Sequence, residues 1–190
     1  MQMKSETTQT TSKIFTIPNI LSFLRIALIP WIIWLYLKKQ DYLKAGLVLI
    51  LSGITDVVDG FIARRFQMTS NVGKVLDPVA DKLTQTAMLV CLTIRFPFML
   101  IPLCLVVVKE TFMTITGALV VYKKRIVHGA NWHGKLATFL LDGLVVLHVF
   151  WYNIPGTLSL VLIIISSVMI AVSFVLYGIR NIRSLRRCGF

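Results

Sequence analysis

Residues 154–183 read IPGTLSLVLIIISSVMIAVSFVLYGIRNIR, with no charge from Ile154 until Arg180. A helix crossing the hydrocarbon core needs about 20 mostly apolar residues, and this run exceeds that. Arg180, Arg183 and Arg187 then follow at helical spacing with Arg186 beside them, the pattern of a stop and an anchor to lipid headgroups. Working backwards, five more segments have the same character. They span Ile17–Leu37, Leu43–Phe66, Lys74–Ile94, Phe98–Tyr122 and His133–Tyr152. The expected fold is all-α and integral to the membrane, with six transmembrane helices and short antiparallel connections. Residues 1–13 form a polar tail and residues 14–190 a single domain.

Composition agrees. Of 190 residues, 56% are hydrophobic and 15% charged, and the mean hydropathy is +0.79. A soluble domain usually carries about 25% charged residues. Disorder requires low hydrophobicity and is excluded. The apolar content leaves little surface for a nucleic-acid groove despite a net charge of +12. The apolar run from Ile14 lacks a small-residue cleavage site and outlasts a signal h-region, so it reads as a retained segment. Cys91 and Cys104 sit in apolar runs and Cys188 near the basic tail; the three show no CxxC spacing.

The 20 Lys and Arg set the orientation. With the N-terminus cytoplasmic, fourteen fall on the cytoplasmic side and only Lys38, Lys39, Lys44 and Arg95 outside. Arg25 and Lys109 remain inside apolar segments. The positive-inside rule therefore places both termini in the cytoplasm and the chain in the cell membrane, its basic face toward anionic lipids.

The acids are more informative. Of eight, four fall in or beside apolar helices: Asp56, Asp59, Asp77 and Asp81. Residues three or four apart share a helix face. A hairpin would bring the two pairs together at the cytoplasmic boundary. A charge in hydrocarbon costs on the order of 3 kcal/mol on insertion scales, so such a cluster marks a site. Four carboxylates in low dielectric either stay partly protonated or are neutralised by cations. Two divalent cations would balance them, and all-oxygen ligation suits Mg²⁺ or Mn²⁺ rather than zinc. Salt bridges to Arg64, Arg65, Lys74 and Lys82 are the structural alternative. A cation or proton transporter is the alternative of another class; against it, the acids gather at one boundary instead of stringing across the membrane.

The residues between the pairs suit phosphate. Gly60 and Ala63 leave room for close approach. Arg64 offers a planar fork. Gly73 lets backbone approach a ligand or take a left-handed turn. A carboxylate free of metal could take a proton from a hydroxyl nucleophile attacking phosphorus.

The stretch Asp56-Val-Val-Asp59-Gly60-Phe-Ile-Ala63-Arg64, followed by Gly73-Lys-Val-Leu-Asp77-Pro-Val-Ala-Asp81, resembles the signature of the CDP-alcohol phosphatidyltransferase family. Four aspartates, two glycines, one alanine and one arginine agree in order and spacing. The resemblance implies transfer of a phosphatidyl group from CDP-diacylglycerol to an alcohol, with CMP leaving. It implies two divalent metals on Asp56, Asp59, Asp77 and Asp81, with Asp81 also the general base. It puts Gly60, Ala63, Arg64 and Gly73 in the CDP pocket. It implies a homodimer.

The run Ile17-Pro18-Asn19-Ile-Leu-Ser22-Phe-Leu-Arg25 resembles the start of bacterial phosphatidylglycerophosphate synthases, which use glycerol 3-phosphate. Asn19 and Arg25 would then approach the site from the first helix. Lys109-Glu110 resembles an Arg-Glu pair of those synthases, and Trp132-His133-Gly134-Lys135 their Gly-Lys segment. Lys109 and Lys135 are thus candidate ligands of the acceptor phosphate. Two departures stand out: Lys109 replaces the usual Arg, and Gly117 lies where a second Arg is common. Arg125 or Lys124 could substitute. Phosphatidylglycerol, as in a cardiolipin synthase, and inositol phosphate or serine are the alternative acceptors. His128 and His133 are expected to be solvated or to face headgroups rather than to bind a metal. Asp142 and His148 are six apart and do not share a face, and Asp142 either pairs with Lys109 or faces the cavity.

Overall fold

The computed structural model describes residues 17–65, 73–124 and 132–186. The polar tail, His128 and Cys188 lie outside them, as do the side chains of Asp59, Ala63, Arg64 and Lys74. The described residues form six long helices and no strand. These are α1 (Ile17–Trp34), α2 (Tyr42–Arg65), α3 (Gly73–Arg95), α4 (Leu100–Lys124), α5 (Trp132–Phe150) and α6 (Gly156–Arg186).

The element boundaries follow local chemistry. A five-residue π turn, Leu35–Lys39, extends α1 and ends at Gln40, whose φ of 53° is left-handed. Asp41 then caps α2: its Oδ1 accepts the Lys44 backbone N–H at 3.1 Å. Pro97 opens a short 3₁₀ turn (Pro97–Met99) that leads into α4, a position where its missing N–H is no loss. Pro155 precedes α6 in the same way.

Helix α1 packs on α2 and α3, α4 on α6, and α5 on α6, α2 and α3. Met88, Leu89 and Leu92 of α3 pack in the core with Ile32, Leu141, Val149, Ile163 and Ile170. Small polar residues lie inside rather than out. Ser159, Ser166, Ser167 and Ser173 of α6 are all buried, and Ser166 Oγ donates to the Leu140 carbonyl at 3.2 Å. This is how helices approach closely in lipid, where apolar contact alone gives no preference.

The outward faces are apolar. Trp31, Val57, Phe61, Ile94 and Phe139 are each more than half exposed. So many large apolar side chains exposed on every long helix suit acyl chains rather than water. Four helical stretches are long and apolar enough to cross a membrane: Asn19–Lys39, Pro97–Gly117, Trp132–Phe150 and Gly156–Arg183. Helices α2 and α3 have the length for a crossing but carry the charges of the aspartate motif. Six long helices were expected and are found; four of them meet the composition of a span.

Candidate active site

An apolar helix that carries polar residues three apart must turn that stripe toward something polar. Asn19, Ser22 and Arg25 of α1 do so, and all three are at most 2% exposed. Ser22 Oγ donates to Asp77 Oδ1 on α3. Arg25 Nη1 lies 2.6 Å from Asp56 Oδ1 on α2. One face of α1 thus touches the first pair of aspartates and the second. Asn19 and Arg25 were expected to approach the site from this helix, and Arg25 reaches the aspartate cluster itself.

Arg25, Asp56, Asp81, Gln85 and Asp142 line a cavity of about 530 Å³ between α1, α2, α3 and α5. Its remaining wall is largely apolar, including Leu49, Ile54, Met88 and Val145. Gly60 is half-buried on α2, and Gly73 is the buried first residue of α3. The left-handed turn considered for Gly73 is not formed, since no described glycine has a positive φ. Starting the helix at Gly73 is what puts Asp77 on its second turn and Asp81 on its third. Among the described residues no three His, Cys, Asp or Glu side chains converge as a metal-holding group.

A second cavity, of about 680 Å³, opens between α3, α4, α5 and α6. Lys82, Lys109, Lys135 and Arg180 supply four cations to its wall, against Glu110 and Asp142. Glu110 bridges two of the lysines. Its Oε1 lies 3.0 Å from Lys109 Nζ, and its Oε2 accepts from Lys82 Nζ. Lys109 is buried while Lys135 is exposed. The two cavities share Asp142, and neighbouring residues of α3 serve them, Asp81 in one and Lys82 in the other.

Several expectations change here. Lys109 pairs with Glu110, its own neighbour. Of the two outcomes left open for Asp142, it takes the second: it faces both cavities, accepting a hydrogen bond from Gln85 Nε2 at 2.6 Å. Lys82 is engaged by Glu110, so it does not serve as the salt-bridge partner of the aspartates. His133 is not solvated: it is 5% exposed, with its ring against Tyr177 and Nδ1 3.4 Å from Ser173 Oγ. Arg180 is more than an anchor to headgroups, because it forms part of the basic cavity. His148 is confirmed as no partner of Asp142; it bonds Ser159 Oγ at 2.9 Å and the Leu144 carbonyl at 2.8 Å.

Ser22, Gln85 and Arg180 were missed as site residues. Ser22 had a signal, since it lies midway in the Asn19–Arg25 stripe. Arg180 had none, because a basic residue at a helix end is already explained by orientation.

Known proteins resemble this chain in sequence. The family model for CDP-alcohol phosphatidyltransferases matches residues 15–177. A CDP-diacylglycerol–glycerol-3-phosphate 3-phosphatidyltransferase of Aquifex aeolicus is 29% identical over 174 residues, 89% of this chain and 97% of that protein. A cardiolipin synthase (CMP-forming) of Streptomyces coelicolor is 40% identical over 146 residues, 72% of this chain and 66% of that protein. A cardiolipin synthase/mitochondrial hydrolase fusion protein of Schizosaccharomyces pombe is 40% identical over 111 residues, 58% of this chain but only 18% of that much longer protein. The family match begins before α1 and ends at Tyr177 within α6, so it takes in both cavities except for Arg180: this chain belongs to the CDP-alcohol phosphatidyltransferase family.

Proposed function

We propose that this chain transfers the phosphatidyl group of CDP-diacylglycerol to glycerol 3-phosphate, giving phosphatidylglycerophosphate and CMP. The observation that carries the reading is the adjacency of a carboxylate cavity and a basic cavity, joined at Asp142. The first suits the pyrophosphate of the donor and the second an anionic acceptor. Asp81 and Lys82 are consecutive, so the two reactants are held on either side of one helical turn.

The family implies divalent metals, and the chemistry of the donor set suits them. The donors are carboxylate oxygens, the set that Mg²⁺ or Mn²⁺ prefers. A cationic group already stands against one of them, the Arg25 guanidinium at Asp56. Asp56, Asp59, Asp77 and Asp81 would hold two ions, which when bound neutralise the pyrophosphate oxygens and the leaving CMP. Gly60, Ala63, Arg64 and Gly73 would contact the CDP moiety.

Asp81 is the general base. It removes the proton of the acceptor hydroxyl, whose oxygen bonds to the lipid-linked phosphorus. The bond from that phosphorus to the bridging pyrophosphate oxygen breaks, and CMP departs with the electron pair. Lys109 and Lys135 hold the acceptor phosphate, which keeps the hydroxyl in reach of both Asp81 and phosphorus.

The charge of the loops supports cytoplasmic termini and an active site facing the cytoplasm of the cell membrane. The family resemblance supports a homodimer. A second reading takes phosphatidylglycerol as acceptor, making a cardiolipin synthase; the 40% identity to the Streptomyces coelicolor protein favours it.

The test is purified protein in detergent with CDP-diacylglycerol, Mg²⁺ or Mn²⁺ and a panel of alcohols. CMP release with glycerol 3-phosphate, and phosphatidylglycerophosphate identified by mass, is the expected result. Release only with phosphatidylglycerol would transfer the assignment to the second reading. No CMP with any alcohol, together with cation flux in liposomes, would point to a transporter.

A further inference from the structure

Gly134 on α5 and Tyr177 on α6 are fitted to each other. A Cβ on Gly134 would collide with the Tyr177 hydroxyl oxygen and stand 2.7 Å from Cε2 and 2.9 Å from Cζ. Any side chain there moves the ring. His133 braces the ring from another direction, with centroids 4.6 Å apart and planes at 61°. Three residues along α6, the Arg180 Cζ lies 4.6 Å from the centroid of the same ring. That is within cation–π range. Tyr177 is 6% exposed, and Gly134, Tyr177 and Arg180 line the cavity that holds Lys109 and Lys135.

We propose that Tyr177 is a positioning residue, seated in the Gly134 notch, that aims the Arg180 guanidinium into the basic cavity as the third cation for the acceptor's anionic group. The proposal rests on the reading of that cavity as the acceptor site. A free arginine loses considerable rotamer freedom when it binds, and the aromatic face meets that cost before the acceptor arrives. Neither Lys109 nor Lys135 can form a bidentate fork with phosphate oxygens; Arg180 can. The ring therefore acts on the acceptor through Arg180 and has no part in donor binding.

The experiment is steady-state CMP release, with glycerol 3-phosphate and phosphatidylglycerol as alternative acceptors. Arg180→Ala, Tyr177→Leu and Gly134→Ala should each raise the acceptor KM by about tenfold while the KM for CDP-diacylglycerol stays within about twofold. Tyr177→Phe keeps the aromatic face and should restore most of the loss. Tyr177→Leu added to Arg180→Ala should cost nothing further, because the ring acts through the guanidinium. Additive losses in that double variant overturn the proposal. So does an acceptor KM unchanged in Arg180→Ala, or an effect confined to the donor KM. No CMP from the wild-type protein with either acceptor overturns the reading of the basic cavity as the site for these acceptors, and the proposal with it.

Discussion

The Arg25 guanidinium meets the Asp56 carboxylate at 2.6 Å, from a side chain only 2% exposed to one 43% exposed. The cation is therefore fixed by its burial in α1, and the carboxylate is presented to the cavity by contact with it. Arg25→Met removes the buried charge and leaves Asp56 without this contact. It should destabilise the protein by on the order of 2 kcal/mol, less than a fully buried pair because Asp56 keeps some solvent. CMP release should fall at least about tenfold, since Asp56 loses its fixed orientation. Arg25→Lys should fall between the two, as the charge remains but the fork does not. Thermal unfolding in detergent and initial rates read the two effects separately.

Asp81 is exposed and lies in the carboxylate cavity, one residue before Lys82. Asp81→Asn keeps the shape and removes the basic oxygen. Turnover should drop by about 10²- to 10⁴-fold, the usual contribution of a general base. The KM for CDP-diacylglycerol should change far less. A near-normal rate would show that another group takes the proton.

The aspartate cluster was legible because it violates the solvent it sits in. A carboxylate in a greasy helix has few structural explanations, and spacings of three and four fix its face without any knowledge of neighbours. Arg25 was noticed on the same ground, as a charge inside an apolar segment, but its pairing with Asp56 was not foreseen. The six helices were legible as apolar runs of the length a crossing needs, although their ends at Asp41, Pro97 and Pro155 were not read.

What escaped the sequence depends on helices distant along the chain. His133 alone suggests a solvated imidazole at a membrane surface. Its burial comes from Tyr177 and Ser173, on a different helix. Arg180 satisfies the orientation rule whether or not it faces a cavity, so only the packing of α4 and α5 against α6 shows that it lines one. Asp142 could be narrowed to two outcomes, and the choice turned on Gln85, a neutral residue with no charge signal.

Lys109 is buried and shares Glu110 with Lys82. Lys109→Ala should raise the KM for glycerol 3-phosphate by about tenfold with a smaller effect on kcat, the signature of a ground-state contact to the acceptor. Lys135→Ala should act in the same direction but more weakly, since an exposed lysine is screened by water and salt. The loss should be larger for a phosphomonoester dianion than for the phosphodiester of phosphatidylglycerol. Measuring both acceptors in both variants therefore separates the two functional readings by charge.

Asp41 gives a pH test remote from the chemistry. Its Oδ1 accepts the Lys44 N–H at 3.1 Å and its Oδ2 lies 2.7 Å from Lys44 Nζ. The side-chain hydrogen bond from Lys44, then the backbone one, holds the Asp41 carboxyl below the ordinary carboxylate range. A pKa depressed by folding stabilises above the unfolded value, about 3.9, and that contribution is lost as pH falls through the folded value. Asp41→Ala should thus melt earlier than wild type at neutral pH, and the two midpoints should converge in acid. Asp41→Asn retains a capping oxygen but no charge. It should fall between them at neutral pH, and this site should add no slope of its own to its melting curve against pH. A gap between wild type and Asp41→Ala that persists unchanged into acid would mean that the cap acts without its charge.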